Sequence, residues 1–171
     1  IAMFFTAFII KRIGKRNMLI IGAIVYGLGF GMFQFVGTNY FGIMFASALK
    51  GIGNAGISSC MFAIVSDTIE YGEWKTGYRT EGLINSASSF GFKVGNGLGS
   101  AMLGWILALG NYAENAAVQS ASSVMAIKAL FIYIPVAVAI LQIVIMLFYK
   151  LDKEYDGIVE DLRNGKDAKE A

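Results

Sequence analysis

Long uncharged stretches separated by short charged segments set the pattern of this chain. From Asn17 to Ser66 the only formal charge is Lys50, and from Gly82 to Asn111 the only one is Lys93. Between them Asp67–Gly82 holds six charges. A soluble fold does not leave helix-length apolar surface uncharged, so the pattern predicts a polar connection between two membrane spans. Four full spans are expected, at about Met18–Val36, Phe41–Ser66, Leu83–Leu109 and Leu130–Tyr149. At about 1.5 Å per residue each is long enough to cross a bilayer. Ile1–Ile10 is too short for that and has neither the basic leader nor the cleavage site of a signal peptide. It reads as the last half of a helix, and the chain as a fragment of a longer polytopic protein. Residues 1–149 then form the transmembrane part and 150–171 a charged tail.

The short loops set the orientation. Lys11, Arg12, Lys15 and Arg16 precede the first full span, whereas the turn Gly37–Tyr40 has no charge. The positive-inside rule places the basic loop in the cytoplasm. Alternation then puts Asp67–Gly82 and the tail on the same side, with Gly37–Tyr40 and Asn111–Ala129 outside. Trp74, Trp105, Tyr40, Tyr112 and Tyr149 fall near the expected interfaces, where such residues gather. Pro135 predicts a bend in the last span. Leu151, Tyr155, Ile158, Val159 and Leu162 share one helical face, so the start of the tail is expected as an amphipathic helix against the inner surface.

Composition narrows the chemistry. The chain is 56% hydrophobic and 15% charged, against about 25% charged in soluble domains. It has one cysteine and no histidine, which excludes within this chain a disulfide framework, a Cys/His zinc site and any His-dependent catalytic pair. An enzyme is not expected. No basic patch interleaved with aromatics suggests nucleic acid. Gly51-Ile-Gly53-Asn-Ala-Gly56 fits a dinucleotide fingerprint, but it lies mid-span, with no strand before it and no phosphate access from water. Helix packing explains these glycines better. The ladders Gly27-xxx-Gly31, Gly91-xxx-Gly95-xxx-Gly99 and Ser100-xxx-Gly104 are likewise expected to bring helix backbones together.

Lys50 and Lys93 lie about 14–17 Å from the ends of their spans, near the midplane. A lysine there costs roughly 2.5–3.5 kcal/mol, and snorkelling works poorly from the centre. Each therefore needs a polar cavity, a ligand or a structural ion-pair partner. Lys93 is flanked by Asn85 and Ser88, and Ser89, Lys93, Asn96 and Ser100 form one polar stripe at helical spacing. The four full spans contain no internal carboxylate. In the central segment, Asp67 and Glu70 sit near a helix C-terminus, which disfavours carboxylates, so both need cationic partners. Lys75 and Arg79 are close enough in sequence to serve. Cations from elsewhere in the protein serve equally well, and would make a gate.

The segment Asp67-x-x-Glu70-Tyr71-x-Glu73-x-Lys75-x-Gly77-x-Arg79-x-Glu81-Gly82 resembles the signature of the glycoside–pentoside–hexuronide:cation symporters, within the major facilitator superfamily. The basic loop Lys11-Arg12-Ile-Gly14-Lys15-Arg16, Lys93, and the tail start Tyr149-Lys150-Leu151 continue the likeness in order. The resemblance implies an all-α membrane protein, here part of the carboxy-terminal six-helix half of a twelve-helix bundle. The chain would hold the end of helix 8, helices 9–12 and the tail. It implies symport of a sugar with Na⁺, H⁺ or Li⁺ across a bacterial inner membrane by alternating access, without another cofactor. The cation would be bound by the amino-terminal half, outside this chain. The implied partners are the bilayer, that other half and a small sugar. Asp67, Glu70 and Arg79 match positions of a cytoplasmic charged network, to which Lys75 is added as a gate candidate. Lys93 matches a lysine facing the sugar cavity, with Ser88 and Ser89 beside it. Asn96 and Lys50 complete the cavity candidates. Ser58 stands where one family member has a sugar-covering tryptophan, so the substrate is expected to differ. A non-sugar solute, a non-transporting sensor or scaffold, and a membrane-embedded enzyme are the alternatives.

Overall fold

The computed structural model describes residues 10, 12–116 and 118–170. Apart from Ile10, the expected half-helix lies outside the described residues, as does Lys11. All regular structure among the described residues is helical. Helix α1 spans Lys15–Val36, α2 Tyr40–Thr76 and α3 Glu81–Leu109. Helix α4, Ala121–Lys128, passes through a π-helical turn at Ala129–Tyr133 into α5, Ile134–Phe148. Helix α6, Tyr155–Glu170, carries the tail.

Local chemistry sets the ends. Asn39 caps α2, its side-chain oxygen accepting from the Phe41 amide at 3.1 Å. The helix stops where Gly77 turns left-handed at φ 73° and gives its amide to the Glu73 carbonyl at 2.8 Å. Nothing between Asp67 and Gly77 breaks a helix, so most of the segment expected as a loop continues α2, and only residues 77–80 connect it to α3. At 37 residues α2 is about 55 Å long, well beyond a core of about 30 Å. Pro135, which has no amide hydrogen to donate, follows directly on the π-helical turn. In the outer segment Asn111–Ala129, residues 111–116 and 118–120 are loop, and α4 joins the last span without a break.

Three helical runs among the described residues are long and apolar enough to cross a membrane: α1, α2 and Ala121–Phe148. Helix α3 has the length, at 29 residues, but its asparagines, serines and Lys93 lower its hydropathy below that of the other three.

The tightest packing is between α1 and α2. Met18 and Leu19 meet Cys60 in a core that Ile13, Ile64 and Met146 flank. Glycines make that approach possible. A β-carbon at Gly29 would lie 2.7 Å from the Lys50 amide nitrogen, and one at Gly22 would lie 3.0 Å from the Gly53 carbonyl oxygen. A β-carbon at Gly53 would collide with the Tyr26 backbone. Two glycines of the apparent nucleotide fingerprint, Gly53 and Gly56, are therefore part of a helix-packing surface inside α2, while Gly51 faces open space. Helix α3 differs: it has no buried residue. Its outer end is held by α4, whose Ser122 and Ser123 hydroxyls donate to the Gly110 carbonyl at 3.0 Å.

Candidate functional site

Two regions carry the candidate chemistry. The first is the charged end, where the start of α1, the end of α2 and the tail converge. Gly14 precedes α1 at φ 81° and offers no side-chain cap. A cation at a helix start is unfavourable, so Lys15 and Arg16 need outside partners. Asp152 from the tail connection acts as a cap in trans, its Oδ2 accepting the Arg16 amide at 3.0 Å. The Arg16 guanidinium donates to the Met146 and Leu147 carbonyls at the end of α5, each at 2.9 Å.

Lys15 reaches across to α2. Its Nζ lies 2.6 and 2.7 Å from the two carboxylate oxygens of Asp67. Asp67 is only 1% exposed, so this pair satisfies a charge that could not stand alone there. One turn on, Glu70 accepts a hydrogen bond from the Tyr155 hydroxyl of the tail. Burial, then the Glu70 and Asp67 carboxylates, push the Tyr155 phenol above its usual range, so it stays a neutral donor. Arg79 donates to Glu73 at 2.8 Å and to Glu81 at 3.1 Å, spanning the short connection between α2 and α3. Those two carboxylates hold its guanidinium above the ordinary range. Lys75 lies over the Tyr71 ring, 5.6 Å from its centroid. Of the two origins open for a cation at Asp67, the structure uses the distant one. Neither Lys75 nor Arg79 pairs with Asp67.

The second region is the polar stripe of α3. Ser89, Lys93, Asn96 and Ser100 all lie on exposed helix surface. Ser88 turns back to bond the Ile84 carbonyl at 2.9 Å. Lys93 has no ion pair or hydrogen bond among the described residues. Lys50 has other surroundings. Its ammonium sits 5.1 Å from the centre of the Phe30 ring on α1 and 5.8 Å from Phe131 in the π-helical turn. Phe33 packs edge-on to Phe131 at 5.3 Å and extends the cluster. Among the described residues no group of three or more His, Cys, Asp or Glu is placed to hold a metal ion.

The sequence shows Lys15 as part of a basic loop and Tyr155 as part of an apolar face, and neither reading contains the contacts found here. The signal available for Lys15 was its position, a cation opening a helix that has no acid in its first turn. Tyr155, Trp74 and Asp161 left no signal, because their contacts join segments over 80 residues apart.

Residues 1–153 match the family described as MFS/sugar transport protein. The isoprimeverose transporter of Lactiplantibacillus pentosus is 35% identical over 95% of the chain. The glucuronide carrier protein homolog of Escherichia coli K12 is 36% identical over 92%. The chain spans about a third of the length of these relatives, 34% and 35% respectively. No solved structure matches.

Proposed function

This chain belongs to the MFS/sugar transport protein family, and from that premise we propose that it is the carboxy-terminal membrane part of a cation-coupled bacterial sugar transporter. The family is one of transporters, not enzymes. The whole protein would work by alternating access, with this half and an amino-terminal half rocking about a central site. The coupling ion, Na⁺, H⁺ or Li⁺, would be held by the other half.

The polar stripe of α3 is the observation that carries this reading. A membrane-length helix with a lysine, an asparagine and serines on one face suits a wet path better than lipid. In this reading Lys93 donates hydrogen bonds to sugar hydroxyls or holds a carboxylate of the other half, with Ser88, Ser89 and Asn96 around it. Lys50, seated on aromatic rings, lies on the α1–α2–α5 side and braces the wall behind. At the charged end, taken as cytoplasmic, the buried Lys15–Asp67 pair braces the extension of α2. The exposed rim of Lys75, Arg79 and Glu81, with half-buried Glu73 behind it, is what the other half would meet when that end closes.

Replacing Lys93 with alanine in a full-length transporter containing this chain should cut uptake of radiolabelled sugar at least tenfold, with membrane insertion unchanged. Uptake at the parental rate would remove Lys93 from the path.

A further inference from the structure

The tail does more than leave the membrane. Its helix α6 lies on the extension of α2, with Ile158 3% exposed. Sequence periodicity assigned that apolar face to the lipid surface. The structure sets Tyr155 and Ile158 of that face against protein, while Val159 stays 38% exposed. Three separate contacts hold the helix. The Tyr155 hydroxyl donates to Glu70. The Trp74 indole donates to Asp161 Oδ2 at 3.1 Å. The Tyr155 ring lies under the Lys15 ammonium, 4.1 Å from its centroid. Beside these contacts Glu70, Glu73, Arg79, Val159, Leu162 and Arg163 line a cleft of about 230 Å³.

Tyr155 therefore touches both halves of the brace. Its ring covers the cation that pairs with Asp67, and its hydroxyl binds the acid one turn further along α2. A cation over an aromatic face gains more as the pair is shielded from water, and here the Lys15 side chain is only 21% exposed. We propose that α6 is a strap fastened by Tyr155, which holds the α2 extension against α1 and so sets how readily the charged end opens. Tyr155 is a positioning residue, since it acts through Lys15 and Glu70. The strap rests on the reading of that end as a gate.

The test uses a full-length transporter containing this chain, with Cys60→Ala and a Ser89→Cys reporter about 12 Å in from the charged end. A membrane-impermeant maleimide is applied from that side in inside-out vesicles, and from the other side in right-side-out vesicles. Tyr155→Phe keeps the ring and loses only the hydroxyl, so folding is preserved. It should speed labelling from the charged side about three- to tenfold, the equivalent of one typical intramolecular hydrogen bond. Labelling from the other side should slow in parallel. Tyr155→Ala should exceed it, and Lys15→Ala, which removes the Asp67 ion pair as well as the cation over the Tyr155 ring, should open the same end. Parental labelling in both Tyr155 variants, with faster labelling in Lys15→Ala, would overturn the strap and leave the gate standing. Parental labelling in all three would overturn both. Faster labelling from both sides would show general loosening and would also overturn the strap.

Discussion

Helices α2 and α3 both carry many glycines on membrane-length segments, and they use them in opposite ways. In the α1–α2 seam Gly22, Gly29 and Gly53 meet backbone of the neighbouring helix, so a methyl group has no room. On α3 Gly91, Gly95, Gly97, Gly99 and Gly104 have nothing within 4 Å. A helical glycine costs about 1 kcal/mol relative to alanine. In the seam close packing offsets that cost, and on α3 nothing among the described residues does. The charges divide the same way. Lys15 meets a buried carboxylate, whereas Lys93 lies on open helix surface. A small-residue ladder or a lysine is thus one sequence signal found in two settings, packed and open, and only the neighbours tell them apart.

The contrast can be broken most sharply at the glycines. Gly53→Leu should lower the stability of detergent-solubilised protein by about 3 kcal/mol, since the side chain must push backbone away. Gly95→Leu should cost far less, and equal losses in thermal unfolding would erase the distinction. A smaller difference is expected between the lysines. Lys15→Ala strands the buried Asp67 and should cost about 2–3 kcal/mol, below the range for fully buried pairs because Lys15 is 21% exposed. Lys93→Ala should leave the melting temperature unchanged or raise it, although it should cut uptake at least tenfold. The smallest effect is at Gly97→Ala, a gain of up to about 1 kcal/mol from helix propensity. A clear loss there would mean that a neighbouring backbone lies against α3.

Charge nearly excluded for some twenty residues at a time made the helices legible without tertiary knowledge. Helices α1 and α2 and the run Ala121–Phe148 are long and apolar enough to cross a membrane, whereas α3, expected as a further span, is less apolar. Counting residues puts both lysines well inside their helices, Lys50 within α2 and Lys93 within α3. The extension of α2 was not legible, because six charges suggest a loop while the actual stop is the left-handed Gly77. The partner of Asp67 was beyond reach for another reason. Lys15 is 52 residues away, and no local rule prefers it to Lys75. The tail face showed its period but not its partner, since lipid and the side of α2 reward the same apolar residues. Lys50 shows that limit most plainly. Its depth predicted a need for compensation, and the structure supplies aromatic rings where an acid or a cavity was expected.

Cysteine scanning along α3 tests the central idea most directly. In a full-length transporter lacking Cys60, Ser89→Cys, Asn96→Cys and Ser100→Cys should react with a water-borne, membrane-impermeant maleimide, and added sugar should slow them. Leu98→Cys, on the opposite face, should stay unreactive. Equal labelling on both faces, or none along the stripe, would contradict the account that α3 lines a wet path for the solute.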